Sequence, residues 1–419
     1  MDPLSVINNI HVECCMKTQS TIRYDVIREH VEKLFREFKL PLLCIPQITN
    51  FHDVPILNKN VEYIRVSEVM GNASEFQTLE NVILNIHIYQ LNEDDAIEEY
   101  QDDENLLTAH HWDLPARALD GLWDNLIFDE NIKTRLLEYV FTTMLFSDRK
   151  VNTNIISWNR VVLLHGPPGT GKTTFCRAFA QKLSIRLADR YSHVKLFEIN
   201  SHSLFSKWFS ESGKLVQKLF QQIYELIEEE GSFVCVLIDE VESLTAVRKS
   251  ALTGAEPSDA VRVVNAVLTQ IDKLKQKNNV LILSTSNITE AIDIAFIDRA
   301  DIKQYVGLPS RQAIYAILSS CIQELMKVGI IMKENLLDWS TVKLTNDFED
   351  SNFRLYTISG KCLGMSGRTL RKMPFLAYAR SIHSKNTTTF KNFLKALDET
   401  VIEESTSRNL IMENQKYDE

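Results

Sequence analysis

VVLLHGPPGTGKT, residues 161–173, decides the fold. Residues 161–164 are an apolar run of the kind that makes a short buried strand. Gly166, Pro167, Pro168, Gly169, Thr170, Gly171, Lys172 and Thr173 then complete a G-x-x-x-x-G-K-[ST] loop. Thr174 and the apolar, helix-forming segment 175–183 follow it. Strand, glycine loop and helix in this order are the context in which the motif binds nucleotide phosphates. Gly166, Gly169 and Gly171 let the backbone turn its N–H groups inward, and the helix adds the positive end of its dipole. Lys172 is placed to reach the β- and γ-phosphates, and the Thr173 hydroxyl to complete a Mg²⁺ shell. A glycine-rich turn without a ligand would require neither flanking element. The expected ligands are ATP and Mg²⁺, with residues 166–174 as their cradle.

The 419 residues suffice for two or three domains. A hydrophobic content of 44% with 24% charged residues is that of a soluble globular chain. The start, MDPLSVINNI, lacks the basic-then-apolar pattern of a secretory signal. No apolar run approaches the ~18–20 residues that cross a bilayer, so no membrane partner is expected. Seven cysteines without a C-x-x-C pair argue against a disulfide framework or a zinc site, and for a reducing compartment. The net charge is −10, but residues 91–105 alone carry eight acidic side chains and no Lys or Arg, leaving the remainder near −2. No broad basic surface is implied, and direct nucleic-acid binding is not expected.

Residues 1–90 read as an α+β binding module. Residues 24–38 have apolar positions at helical spacing, and 61–66 and 82–91 alternate as strands do. His87, among apolar strand residues, reads as structural. The acidic stretch reads as a solvated tether on which the N-terminal module swings. In GLWDNLIF, residues 121–128, Trp123 and Ile127 either contact the adenine or pack into a core. A helical pattern follows at 130–145.

After the loop-helix come a strand at 194–199, a polar loop carrying Lys207, Trp208 and Phe209, and a helix at 214–229. Two large aromatics in such a loop are either buried beneath it or wait for a partner surface. The strand FVCVLI, 233–238, ends in Asp239-Glu240. Carboxylates at the carboxyl end of a strand in an α/β sheet lie where such sheets bind ligands. Asp239 would hold Mg²⁺, and Glu240 would orient and deprotonate the attacking water. Asn287 follows the strand at 280–283, placed to hydrogen-bond that water or the γ-phosphate. Arg299 stands in DRAD, 298–301, where an arginine reaches a neighbouring subunit's γ-phosphate. Residues 310–419 are mainly helical, with Arg368 at the start of a helix over 366–383 and Arg371 and Lys372 as alternatives to it. The last fifteen or so residues read as a frayed polar tail.

With these parts in this order, residues 113–400 resemble the AAA+ ATPases: Walker A at 166–173, Walker B at 235–240, a sensor-one Asn287, an arginine finger Arg299 and a sensor-two Arg368. More narrowly, the chain resembles the pachytene checkpoint family, also called the thyroid hormone receptor interactor thirteen family. The stretches that carry this include GLWDNLIFD, EINSHSLFSKWFSESGKLV, LIDEVESL, LSTSNITEAID, DRADIKQYVG and SGRTLRKMPFLA. One departure is Ser210 after Trp208-Phe209, where many relatives have Gly. The resemblance implies an α/β P-loop fold with a parallel sheet and flanking helices, a small helical lid, and an α+β domain in front. The implied domains are 1–90 (substrate or adaptor binding), 91–112 (acidic linker), 113–308 (large ATPase subdomain) and 309–419 (small helical lid subdomain and tail).

It also implies a homo-hexamer with ATP between subunits and a pore lined by Lys207, Trp208 and Phe209. The implied substrates are HORMA-domain proteins of the spindle checkpoint and of meiotic chromosome axes, presented by a comet-type adaptor. The implied locations are the nucleus and chromosomes, kinetochores included, and the cytoplasm. A nucleic-acid AAA+ machine of helicase or clamp-loader type is the alternative; the absence of a basic stripe in this chain and the aromatic pair Trp208-Phe209 speak against it. A small-molecule kinase would have no use for Glu240, and an adaptor binding ATP only structurally would not need it.

Overall fold

A computed structural model describes residues 8–37, 47–70, 82–100, 107–129, 131–201, 212–243, 258–288, 292–345, 350–381 and 387–417. In chain order the first elements are β1 (Asn8–Met16), α1 (Tyr24–Glu37), β2 (Gln47–Ile48), α2 (Pro55–Asn60), β3 (Val61–Met70), β4 (Val82–Gln90), β5 (Ile97–Tyr100) and β6 (Leu107–Leu114). Then come α3 (Leu122–Asn125), α4 (Ile132–Asp148), β7 (Val161–His165), α5 (Lys172–Arg186), β8 (His193–Asn200), α6 (Ser212–Glu228), β9 (Ser232–Asp239), α7 (Ser258–Leu274) and β10 (Val280–Ser286). The chain closes with α8 (Ile294–Ile297), β11 (Ile302–Tyr305), α9 (Arg311–Lys327), α10 (Trp339–Val342), α11 (Ser351–Lys361), α12 (Gly367–Ser381) and α13 (Phe390–Tyr417). The strands form a four-stranded sheet, β2-β3-β1-β4, and a seven-stranded one, β11-β7-β10-β9-β8-β6-β5. β8 and β9 pair parallel, as do β11 and β7; β6 runs antiparallel to β8. The chain is thus the expected α/β fold, and it divides into two compact units.

The first unit takes in residues 1–120, 176–239 and 247–283. Its small sheet is built on β1, which pairs parallel with β4 and antiparallel with β3. The alternation in NNIHVECCM explains this. Ile10, Val12, Cys14 and Met16 join a core with Ile27, Val31 and Phe35 of α1, while His11, Glu13 and Cys15 take the other face. That second face is also covered: Cys15, Tyr63, Tyr89 and Leu91 pack with Ile185 of α5.

The acidic tether is corrected. Ile97–Tyr100 and Leu107–Leu114 are strands that pair with each other, and Leu114 pairs on with Val194 of β8. Asn92 is fixed by backbone bonds to Pro115 and Arg117, both at 2.8 Å. Charge repulsion sets what enters a core, but an edge strand needs only backbone partners. The linker reading therefore failed on backbone hydrogen bonding, and the swinging N-terminal module falls with it, since residues 1–120 belong to the same unit as 176–239.

His87 is structural, as expected. Its Nε2 lies 3.0 Å from Nδ1 of His11, and the rings stack at 5.3 Å. Burial, then the positive charge of Arg186, pushes His11 down to about 3 and His87 down to about 4. Glu13, Lys182 and, for His87, Asp189 also act on them. Both imidazoles are neutral in the folded state but take up protons near pH 6.5 when the chain unfolds. The unfolded state thus binds more protons below that pH, so their stabilisation is complete above about pH 6.5 and is lost as the pH falls toward their folded values. We expect the first unit to lose roughly 2 kcal/mol between pH 7 and 5, screening by solvent included. Urea unfolding of wild type and His11→Asn/His87→Asn across that range checks this: the double variant should show the flatter dependence, and equal slopes would refute it.

The second unit takes in residues 121–175, 240–246 and 284–419. Its helical part has one core, in which Ile314, Leu318 and Ile322 of α9 meet Leu355 of α11, Leu370 and Met373 of α12, and Phe390, Phe393, Leu394 and Leu397 of α13. Two expectations change here. α11 was not foreseen, and α13 continues to Tyr417 where a frayed tail was expected. Among the described residues the buried apolar positions end at Val401, but a helix already nucleated propagates cheaply through exposed sequence.

Candidate nucleotide site

The loop after β7 has the backbone its glycines promise. Gly166, Gly169 and Gly171 have φ of +142°, +77° and +96°, values other residues adopt only with strain. A Cβ on Gly169 would lie 2.8 Å from Ser366 Oγ and 3.3 Å from Arg368 Cβ. Thr170 Oγ1 donates to Pro167 O at 3.0 Å, closing the turn. Lys172 is buried, and its amine donates to the carbonyls of Gly166 and Pro167 at 2.7 and 2.8 Å. An ammonium held inside a ring of loop backbone is the donor a phosphate chain needs, and only Gly leaves this cradle open. The residues present fit a nucleotide with Mg²⁺. Thr173 is half-buried in the first turn of α5, while Thr174 and Pro168 are exposed.

The lid helix α12 docks on the same loop: Arg368 N donates to Gly169 O at 3.0 Å. Arg368 itself is exposed at this helix start, next to the loop. Arg371 is used elsewhere, donating to Asn125 O.

Glu240 follows β9 with φ +57°, a left-handed conformation uncommon for a residue with a side chain and often kept at functional sites. Thr285 holds it there: its Oγ1 accepts from Glu240 N at 3.2 Å, and its carbonyl from Val241 N at 2.9 Å. The Glu240 carboxylate meets Asn287 Nδ2 at 3.3 Å. Asn287 N in turn donates to Glu242 Oε1 at 3.0 Å. The structure therefore brings Glu240 and Asn287 together and adds Glu242, which no motif had singled out. Asp239 ends β9, and its carbonyl accepts from Ser201 Oγ at 2.6 Å. Arg299 follows α8 and donates to Ala295 O at 2.5 Å. Lys207, Trp208 and Phe209 lie outside the described residues.

Beside the loop is a cavity of about 200 Å³ lined by Ile127, Phe128, Ile132, Thr170, Tyr305, Val306 and Leu308, among others. Its apolar walls suit the flat face of a purine. Ile127 lines it; Trp123 belongs to the core, 7% exposed and stacked on Phe175 at 5.8 Å. At the rim Asp129 accepts from Ser310 N at 2.9 Å and from the Ser310 hydroxyl. Ser310 caps α9, its Oγ accepting from Ala313 N at 3.3 Å. Sequence reasoning missed Asp129 and Ser310 because they meet only in three dimensions.

Strand, loop, helix, acidic strand end and docked lid define an ATPase of the AAA class. The model for the ATPase family associated with various cellular activities (AAA) matches residues 162–308. Residues 6–94 match the TRIP13 N-terminal domain and 310–405 the TRIP13-like AAA+ ATPase lid C-terminal domain. The pachytene checkpoint protein 2 homolog of Homo sapiens is 51% identical over 397 residues, covering 93% of this chain and 91% of that protein. The homolog of Xenopus tropicalis is also 51% identical, over 98% of this chain and 97% of its own. The solved structure of C. elegans PCH-2 matches with a TM-score of 0.77 at 37% identity, covering 95% of this chain and 99% of that one. The chain belongs to the pachytene checkpoint protein 2, or TRIP13-like, family of AAA+ ATPases.

Proposed function

We propose that this ATPase uses ATP hydrolysis to unfold HORMA-domain proteins in part, converting them from closed to open and releasing their bound peptides. The observation that carries this reading is that the N-terminal domain and the lid, and not only the AAA core, match TRIP13-specific families. In cells the activity would disassemble spindle-checkpoint complexes and remove HORMA proteins from meiotic chromosome axes. It would act in the nucleus, on chromosomes and kinetochores, and in the cytoplasm. A comet-type adaptor would present the mitotic substrate to the N-terminal domain, and the working form would be a homo-hexamer.

At the site, the loop 166–174, through the backbone N–H groups of 169–174, and Lys172 would hold the ATP phosphates, and Thr173 and Asp239 the Mg²⁺. That ion supplies charge neutralisation at the phosphates when bound. Glu240 would take the proton of the attacking water while Asn287 keeps the carboxylate turned toward it. Arg368 would contact the γ-phosphate of its own subunit and Arg299 that of the neighbour. Lys207, Trp208 and Phe209 would grip the client chain in the pore.

The test is ATP turnover and HORMA conversion, measured with and without a purified HORMA protein and adaptor. The pair should stimulate turnover and the client should open; Trp208→Ala should keep ATP binding and lose conversion. Brisk turnover with an unaltered client would overturn the reading. So would ATPase stimulation by DNA with a steep salt dependence, which marks a nucleic-acid machine.

A further inference from the structure

Helix α5 begins with Lys172 and Thr173 and ends at Arg186. Its last turns are held by the N-terminal residues of the first unit. Lys182 Nζ donates to Glu13 Oε1 at 2.5 Å and to Ser67 Oγ, and Arg186 Nη2 lies 3.6 Å from the same Glu13 oxygen. Glu13 is 1% exposed, Lys182 2% and Arg186 6%. One residue earlier, the Gln181 amide clamps a backbone unit, accepting from Ala116 N at 2.9 Å and donating to Ala116 O at 3.0 Å.

Burial alone would raise the Glu13 carboxyl, but Lys182 and Arg186 outweigh it and hold Glu13 ionised. Buried ion pairs add little stability over apolar residues of the same shape, because desolvation offsets their attraction; what they can supply is a defined geometry. Apart from Arg177, a half-exposed residue paired with Glu198 at 2.7 Å, the middle of α5 packs through apolar side chains, with Phe175, Ala178, Phe179, Ala180 and Leu183 buried. Such a surface limits rotation and sliding of the helix less sharply than directional charged bonds do.

We propose that Glu13 is a positioning residue for ATP hydrolysis: through Lys182 and Arg186 it fixes the helix whose first turn presents Lys172 and Thr173. Glu13 touches no reacting group. It makes the N-terminal domain part of the ATPase machinery rather than a detachable receptor. The proposal rests on the ATPase activity alone and stands or falls independently of any HORMA client.

The experiment uses the full chain without client and compares wild type with Glu13→Gln, Glu13→Asp, Lys182→Glu and the swap Glu13→Lys/Lys182→Glu. Glu13→Gln should raise the ATP KM at least about fivefold with kcat within about twofold, the pattern of binding lost equally from the ground and transition states. Glu13→Asp should stay closer to wild type. The swap should recover most of what Lys182→Glu loses, and hydrogen exchange over 177–186 should quicken in the single variants. Should Glu13→Gln not fold, Ser67→Ala removes a partner of Lys182 without stranding a charge, and must raise KM at least about twofold. A Glu13→Gln, or in its place Ser67→Ala, with a lower melting point but unchanged KM would reduce the cluster to a structural one and overturn the proposal. A swap no better than Lys182→Glu alone would do the same.

Discussion

Glu240→Gln is expected to cut ATP hydrolysis by roughly 10²–10⁴-fold, the usual contribution of a positioned general base, and to leave ATP affinity nearly unchanged. Gln has the shape of Glu and preserves an oxygen for the 3.3 Å contact with Asn287 Nδ2. The backbone contacts to Thr285 do not involve the side chain at all. What disappears is the carboxylate that accepts a proton from water. Single-turnover hydrolysis and equilibrium binding of ATP, measured on one preparation, separate the two effects. Turnover within about tenfold of wild type would remove Glu240 from the role of base. If both binding and hydrolysis collapsed, the carboxylate would instead be holding the strand end in shape, through its contact with Asn287.

This half of the site was legible because its chemistry fixes sequence spacing. A phosphate chain is cradled by the backbone of one tight loop, so Gly166 to Thr173 must be contiguous. An acid pair must stand at a strand end, so Asp239 and Glu240 directly follow FVCVLI. Contacts that fold distant segments together leave no such trace. Glu13 and Lys182 are 169 residues apart and Asp129 and Ser310 are 181 apart, and each is an ordinary charged or polar residue where it stands. The β1 strand does carry a period of two in Ile10, Val12, Cys14 and Met16, but Cys15 stands between the last two and blurs it. Composition misled at 91–112, because acidity describes side chains while strand pairing belongs to the backbone. Trp123 stayed open between base contact and core for a related reason: the sequence places it near the nucleotide loop but cannot say which way it faces. Packing against Phe175 decided that.

Gly166→Ala is expected to abolish measurable ATP binding. Gly166 has φ +142°, and a Cβ there would lie 2.3 Å from Val306 O and 3.0 Å from Val306 C. Both are backbone atoms, so no side chain can swing aside to make room. Val306 cannot retreat cheaply either, because its N–H is bonded to His165 O at 2.8 Å and it lines the cavity beside the loop. The methyl must therefore push β11 from β7 or collapse the loop, and either spoils the cradle. Backbone strain and overpacking together cost roughly 3–4 kcal/mol, enough to weaken ATP binding by more than about 100-fold. Gly329→Ala separates the two causes. Gly329 also has positive φ, +78°, but an added Cβ meets nothing within 4 Å. That variant should lose only about 1 kcal/mol of stability and leave ATP binding as it was. Titration of ATP into both proteins, each checked for folding by its melting curve, gives the answer. If a folded Gly166→Ala bound ATP within about tenfold of wild type, the close approach of Val306 would not be what makes glycine necessary there.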